Sequence, residues 1–427
     1  MKTQVTRRQF LGSAAAAATF PAIIPGSALG LNGAVAPSNR IAVGFIGVGG
    51  KGTNGMKNFL GCKDAQVAAV CDVNTDAREQ ARNLAGLPPE MAFNDFRDLL
   101  ARDDIDAVQV ATPDHWHVLP SIAAAQAGKH VYCEKPLSNT IAEGRALVNA
   151  INKHGVVFQH GTQLRSLEKV RFACELVRNG RLGTLKEIVI GSPPGLATGV
   201  HPEEPVPPGL DYDLWLGPAP HAPYTPWRVG RECGYPGWYF ISDYSKSGWV
   251  AGYAVHDIDI AHWGMNTERT GPIEVEGEGV FPTEGLFDTV MTYRLEYKYA
   301  NDVRLVITST DQNPHGVRFV GEKGWIFTRS DIDAEPKSLL TEVIGPEEIH
   351  LYKSTLHEQN FLDCIRSGAE TLTPAETAHR STTVGLLGGI ALKLKRKLRW
   401  NPETERFLDD PEADALLSCA IRSPWQL

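Results

Sequence analysis

The chain has 427 residues, 42% hydrophobic and 22% charged, with 42 Lys and Arg against 50 Asp and Glu, a formal net charge of −8. That length exceeds one small domain, and the composition is that of a globular protein with a substantial core. The acidic balance, with no basic cluster outside the last long helix, argues against a nucleic-acid partner; the seven cysteines, odd in number and scattered, fit neither a metal site nor a disulfide framework and are expected as mostly buried free thiols.

Residues 1–36 read as a targeting segment to be kept out of the fold. Thr6-Arg7-Arg8-Gln9-Phe10-Leu11 precedes an alanine-rich, mildly apolar run and then small residues, which resembles a bacterial twin-arginine export signal. The run is too short and too weakly apolar for a membrane span. Cleavage is expected after Ala28 or Ala36, and the location implied is the periplasm or another exported compartment.

From Arg40 strand and helix alternate. The apolar Ile41–Ile46 leads into Gly47-Val48-Gly49-Gly50-Lys51-Gly52, and a second apolar run, 67–70, precedes Asp72. Strand, glycine turn, helix and acidic strand end together make a dinucleotide site: Gly47 for the tight turn, Gly49 and Gly50 for backbone approach to a pyrophosphate, Gly52 for close packing of helix on strand. Asp72, about 20 residues on, is placed to accept from an adenosine ribose; its charge would repel a 2′-phosphate, favouring NAD, with NADP as the alternative. Further strands are expected at 107–111, 130–133 and 156–159, and helices at 75–84, 120–127 and 141–153, with a strand end and short helix in 93–100. This is a doubly wound nucleotide domain, residues 37–160. Three segments follow its strands at their carboxyl ends, where ligands bind: 111–117, containing Thr112, Pro113 and His115; Glu134-Lys135-Pro136; and 160–165, containing Gln163 and Arg165. A lysine at such an edge can hold a substrate hydroxyl or relay its proton. Glu134 is expected to orient its ammonium, and Pro136 to fix the backbone, a cis peptide being one way.

After Gly161 the character changes. A helix at 167–179 and a strand at 185–190 precede a Pro- and Gly-rich region, 192–248, too long for a plain connector and so expected to be functional. Alternating segments at 273–280, 289–297, 304–310 and 317–319 are expected as antiparallel strands, and 355–366 and 375–397 as helices, the basic 393–399 being a solvated helix end. Trp215, Trp227, Trp238, Trp249 and Trp263 crowd one region, and one or two are expected to face a sugar. The fold class expected is α/β: an N-terminal Rossmann domain with a parallel sheet, a C-terminal α+β domain over 161–400 with a large, mostly antiparallel open sheet, and a tail, 401–427. An open sheet face points to a homo-oligomer.

The glycine segment, Asp72, Ala127-Gly128-Lys129-His130-Val131 and Glu134-Lys135-Pro136 together resemble the glucose–fructose oxidoreductase, inositol dehydrogenase and rhizopine-catabolism (Gfo/Idh/MocA) family, from Arg40 to about Arg399. The resemblance implies oxidation or reduction of a sugar or cyclitol with NAD(P). It further implies Lys135 as substrate ligand and proton relay, Thr112, Pro113 and His115 beside the nicotinamide, and Glu134 and Lys135 at the cofactor. The family usually places an Asp four residues before a catalytic His. Here His256 matches the histidine, as general base, but Gly252 stands at the aspartate position. Asp259, Tyr253 and Asp243 are then candidates to balance His256 and Lys135, and Gln163, Arg165, Tyr253 and Asp259 to contact substrate. No metal is expected. The function expected is an exported oxidoreductase with tightly bound NAD. The alternative is a glycosidase that oxidises a hydroxyl, eliminates the aglycone, adds water and re-reduces, with Tyr253 as extra base; a second alternative is a non-catalytic NAD-binding protein.

Overall fold

Runs of buried apolar residues that cannot face water on either side place six short strands side by side: β1 (Ile41–Ile46), β2 (Ala65–Cys71), β3 (Ala92–Phe93), β4 (Ala107–Val110), β5 (His130–Cys133) and β6 (Phe158–His160). The order is β3-β2-β1-β4-β5-β6 with every neighbour parallel, the Rossmann arrangement, in which near-continuous hydrophobicity follows from burial on both faces. The computed structural model describes residues 35–427, so the export-signal reading of 1–36 lies outside the described residues but for its last two. Ile41–Leu427 forms one unit carrying both sheets.

Local chemistry sets the helix ends. The helix Ile141–His154 begins with a capping box, Thr140 accepting from the Glu143 N–H while the Glu143 carboxylate accepts from the Thr140 N–H, and stops at Gly155, φ 64°. Asn74 caps the helix Thr75–Ala85 by accepting from the Ala77 N–H, and Gly86 closes it in the left-handed region.

The second sheet has nine strands: β7 (Leu185–Ser192), β8 (Glu274–Val280), β9 (Thr292–Lys298), β10 (Arg304–Ser309), β11 (Gly316–Gly321), β12 (Gly324–Thr328), β13 (Ile332–Glu335), β14 (Leu398–Asn401) and β15 (Arg406–Phe407), ordered β13-β12-β11-β7-β10-β9-β8-β14-β15. Only β7 and β10 pair in parallel. Along β9, Tyr293, Leu295 and Tyr297 turn inward and alternate with Arg294 and Glu296, the period-2 pattern of a half-covered strand. The inner face packs on the helices Val255–Met265 and Ala375–Leu394. The outer face carries charge, with Arg294 on Glu296 at 2.7 Å and Lys397 on Glu276 at 2.8 Å.

Two expectations are corrected. The last long helix ends at Leu394, where Lys395 takes φ 52°, and Leu398 and Trp400 then alternate inward as β14. The basic 393–399 stretch is therefore a helix end followed by a strand, with Arg396 paired to Asp410 and Glu412. Strands β12 to β15, unexpected from the sequence, complete the sheet. All seven cysteines are free and five are buried.

The long Pro- and Gly-rich connection folds onto an aromatic cluster of Tyr212, Trp215, Trp238, Phe240, Tyr244, Trp249 and Phe287. Backbone bonds fasten it to the end of β2, Thr75 N–H to Gly209 C=O at 2.8 Å and Asp211 N–H to Val73 C=O at 3.0 Å, around an Asn74–Leu210 bridge.

Trp400, 2% exposed and edge-on to Phe407 at 5.0 Å, ties β14 into the core. Trp400→Ala is expected to cost about 3–5 kcal/mol, whereas Lys397→Ala, at an exposed pair, should cost under about 1 kcal/mol; urea unfolding monitored by circular dichroism checks both.

Candidate active site

Sheet order reverses between β1 and β4, and the crevice beyond their carboxyl ends is a cavity of about 490 Å³. Gly47, Gly49, Gly50 and Asp72 form one wall, Thr112, Pro113 and Asp114 another, and Glu134 and Lys135 a third. Trp215, Arg231, Trp238, Tyr239, Trp249 and Tyr253 close it from the second half of the chain.

The cradle fits a pyrophosphate. Gly47 has φ 81°, and a Cβ there would lie 2.7 Å from the Thr112 nitrogen; a Cβ on Gly52 would lie 1.9 Å from the Gly47 carbonyl oxygen. Around Gly49, by contrast, a Cβ would meet nothing within 4 Å. Gly49 caps the helix Gly50–Gly61 without a side-chain bond, so the first N–H groups and the positive end of the dipole face open space. Asp72 braces this turn, its Oδ2 accepting from the Val48 N–H at 2.8 Å and its Oδ1 from the Asn74 N–H at 2.9 Å. Burial raises its pKa, and those N–H groups and Arg78 oppose the rise.

Lys135 lines the cavity beside a cis Lys135–Pro136 bond. Its Nζ donates to the Gly252 carbonyl at 2.9 Å and lies 5.5 Å from the Tyr239 ring centre and 5.9 Å from that of Tyr253. Glu134 does not orient it: the buried Glu134 carboxylate pairs with Lys51 Nζ at 3.1 Å. Successive residues leave the strand on opposite sides, which separates the two charges. With its amide oriented so that both ends find partners, Gln163 accepts from the same Lys51 at 3.2 Å, so Gln163 stands beside the cradle.

His256 is not among the residues lining the cavity. It sits beside one that is, Tyr253, with ring centres 6.4 Å apart, and its buried Nδ1 has no partner. Burial first, then the nearby cations Lys135, Arg329 and Lys51, hold its pKa well below the ordinary value, which keeps the imidazole neutral. Asp257 on the same helix is locked to Arg329 at 2.6 Å.

Other expected contacts lie elsewhere. Arg165 and Asp259 form a sealed core pair, 2.7 and 2.8 Å, with Glu268 and Ser381 completing it, and neither lines the cavity. His115 turns away from the crevice, Nε2 on the Trp215 carbonyl at 3.1 Å and its ring 5.0 Å from Tyr244. Thr112 and Pro113 do line the crevice. Of the five tryptophans, Trp215, Trp238 and Trp249 reach it; Trp227 stacks on His201 at 4.2 Å and Trp263 lies under Arg165. Asp243 does not line it.

Sequence reasoning missed three groups. Arg231 reaches back over the cradle, its Nη1 3.6 Å from where a Cβ on Gly50 would be. His117 links the turns after β4 and β5, between the carbonyls of Thr112 at 2.9 Å and Pro136 at 2.6 Å. Asp114 is 1% exposed; its Oδ2 accepts from Ser245 Oγ at 2.8 Å and its Oδ1 has no partner. Burial pushes this carboxyl up to about 7, against the pull of Lys135 and Ser245. The segment holding Asp114 and His117 was legible as a ligand edge; Arg231 had no signal beyond its place in the long connection.

Comparison with known proteins agrees with this architecture. Residues 41–162 match the model of the oxidoreductase family NAD-binding Rossmann fold, and 194–427 that of the oxidoreductase family C-terminal alpha/beta domain, both of the Gfo/Idh/MocA type. The chain is 24% identical to a myo-inositol 2-dehydrogenase of Thermotoga maritima over 371 residues, 84% of this chain and 98% of that protein. It is 33% identical to a glycosyl hydrolase family 109 protein of Saccharopolyspora erythraea, but over 159 residues, 36% of this chain and 34% of that one. The fold is shared with aldose-aldose oxidoreductase from Caulobacter crescentus at 20% identity, TM-score 0.63, covering 84% and 99% of the two chains.

Two outcomes follow from the buried groups. Asp259→Ala, which strips Arg165 of a core partner, should cost about 3–5 kcal/mol in denaturant unfolding and leave the NAD Kd of the folded protein unchanged by calorimetry. Burial lowers the pKa of eight histidines from the ordinary 6.5: to about 3 for His115, His160 and His262, to about 4 for His117, well below it for His256, and downward also for His130, His357 and His379. The unfolded chain therefore binds more protons below 6.5, and Tm is expected to fall steadily as pH drops from 6.5 toward 4; Asp72, Asp114 and Glu143, whose pKa values burial raises, act in the opposite sense but are three groups against eight.

Proposed function

The chain belongs to the Gfo/Idh/MocA oxidoreductase family, and from that premise we propose that it is an exported, NAD-dependent oxidoreductase acting on a hydroxyl of a sugar, glycoside or cyclitol, with its nucleotide retained between turnovers. The observation that carries this reading is that the glycine cradle and the Lys135 ammonium open into one cavity walled by tryptophans. The named activity of the Thermotoga relative, matched along nearly its whole length, supports a polyol or sugar substrate. Arg7 and Arg8 in the leading segment support export, and a soluble nucleotide would be scarce outside the cytoplasm. Asp72 supports NAD over its 2′-phosphorylated form.

The residues present fit such a nucleotide: Gly47, Gly49, Gly50 and the helix N-terminus would hold the pyrophosphate with Arg231 above, Asp72 the ribose, and Thr112 and Pro113 the nicotinamide side. When bound, the nicotinamide supplies a hydride acceptor or donor. The chain's own part is proton handling. Lys135 has three N–H donors and spends one on the Gly252 carbonyl, leaving two for a substrate hydroxyl. His256, held neutral, is in the form that accepts a proton as the hydroxyl becomes a carbonyl, with Tyr253 beside it at the cavity wall. The aromatic wall offers faces to the C–H side of a sugar ring.

The second reading, a glycosidase working through transient oxidation, is favoured by the partial match to a glycosyl hydrolase family 109 protein and by Tyr253 as an extra base near Lys135. Product analysis separates the two. Incubation with a panel of sugars, cyclitols and aryl glycosides should accumulate a keto product; aglycone release with the nucleotide unchanged would instead establish the glycosidase. Lys135→Ala and His256→Ala should each lower kcat about 10²–10⁴-fold with NAD still bound. Turnover that survives both substitutions, or no product from any member of the panel, would overturn the reading.

A further inference from the structure

We propose that Asp114 is the counter-charge of Lys135: a carboxylate delivered from the turn after β4 that anchors the ammonium at the spot where substrate hydroxyl binds. The inference rests on the reading of Lys135 given above and adds a positioning residue to it.

Charge pairing around the cavity, together with position, points to this pair. Among the described residues Arg231 and Asp72 also line it without an ion pair, but Arg231 overhangs the cradle and both Asp72 oxygens are taken by the Val48 and Asn74 N–H groups. Glu134 is taken by Lys51, Asp257 by Arg329 and Asp259 by Arg165. Lys135 and Asp114 both line the cavity, and among the described residues neither is in direct ion-pair contact with any group; the Lys135 charge nonetheless acts on the Asp114 carboxyl through space. A buried carboxylate oxygen without a partner is costly, and Asp114 Oδ1 is such an atom. Ser245 holds the other oxygen and so fixes which way the carboxylate faces.

The two groups meet at Gly252. Lys135 Nζ bonds its carbonyl at 2.9 Å, and a Cβ on Gly252 would stand 3.4 Å from Asp114 Oδ2 and 3.5 Å from Ser245 Oγ. Gly252 ends a short helix, Trp249–Gly252, and is not among the glycines with positive φ, so its backbone gives no reason for glycine, which costs about 1 kcal/mol relative to Ala in a helix interior. The reason lies across the cavity wall. A carboxylate grown from position 252 would press its negative charge on Asp114 in a dry site, so carboxylates at 114 and at 252 exclude one another. The carboxylate expected from the second half of the chain is supplied instead by the first, and the glycine leaves room for it.

Asp114 ionises across neutrality. The titratable groups that face it are Lys135 from the turn after β5, Tyr239 from the long connection and Cys133 at the end of β5. Tyr239 and Cys133 are both pushed upward by burial and stay protonated, so Lys135 is the charge that matters.

The test exchanges the carboxylate between the two positions, using Asp114→Asn, Gly252→Asp, the double variant and Ser245→Ala in the full chain. Acetic anhydride is used in trace amounts near neutral pH, with labelling of Lys135 read by peptide mass spectrometry. Asp114→Asn should raise the labelling rate about tenfold, the effect of losing one stabilising charge. Ser245→Ala should raise it less, and the double variant should return it to within about twofold of the parent. With a substrate from the panel above, kcat/KM should fall about 10–100-fold in Asp114→Asn and lose the ionisation near pH 7, while the NAD Kd stays within about twofold. Gly252→Asp alone should weaken activity without restoring any of it. Labelling of Lys135 unmoved in both Asp114→Asn and Ser245→Ala, or a folded double variant that labels like Asp114→Asn, would overturn the proposal. Labelling that shifts as expected in a protein with no turnover would sustain this pair and overturn the enzymatic reading alone.

Discussion

Gly47 and Thr112 come so close that no side chain fits between them, and that crowding decides where the rest of the site lies. A positive φ at Gly47 turns the chain directly from β1 into the helix Gly50–Gly61, whose first N–H groups are left pointing at open space. The same contact pulls the turn after β4 against the cradle, and His117 then joins that turn to the one carrying Lys135. Three loops from three strands are thereby held in one frame by a backbone contact and the His117 ring, and the side chains that face the cavity inherit their positions from it.

Electrostatics then sorts the charged residues. Lys51 with Glu134, Arg165 with Asp259 and Glu268, and Arg329 with Asp257 are settled partnerships in which at least one member is buried, although Lys51 itself is exposed. Such pairs add little net stability, since desolvation cancels much of the attraction, but removing one partner is severe. Their effect is to specify: each fixes which charges are unavailable to a ligand. What remains facing the cavity is Arg231 and Asp72 at the cradle, Lys135 and Asp114 beyond it, and the His117 imidazole, which burial keeps uncharged.

The first half of the fold was legible because its signals are local: apolar runs, a glycine turn and an acidic strand end within one short segment. The second sheet was half legible. β8 and β9 alternate clearly and β10 and β11 are apolar runs, whereas β12 to β15 are two to five residues long and gain their places by pairing with strands already formed. At the site, sequence neighbourhood misled where it stood in for spatial neighbourhood. Glu134 and Lys135 adjoin in the chain but serve different partners. Arg165 and Asp259 looked like ligand contacts because they follow or sit near the right elements, yet their charges satisfy each other in the core. Asp114 and Ser245, 131 positions apart, and Lys135 and Gly252, 117 apart, could be joined only by the fold.

The staple between the long connection and the end of β2 bears on how a nucleotide comes and goes. Gly209, Leu210 and Asp211 are sewn by main-chain bonds to Val73, Asn74 and Thr75, beside the carboxylate that would receive the ribose, while Arg231 from the same connection overhangs the cradle. On the proposed reading, a dinucleotide seated there would leave more easily if the seam were unpicked and part of the aromatic wall lifted with it. To the extent that release waits on that seam, exchange would be paced by a local opening of the connection, and strengthening or loosening these main-chain bonds would set how long a nucleotide stays.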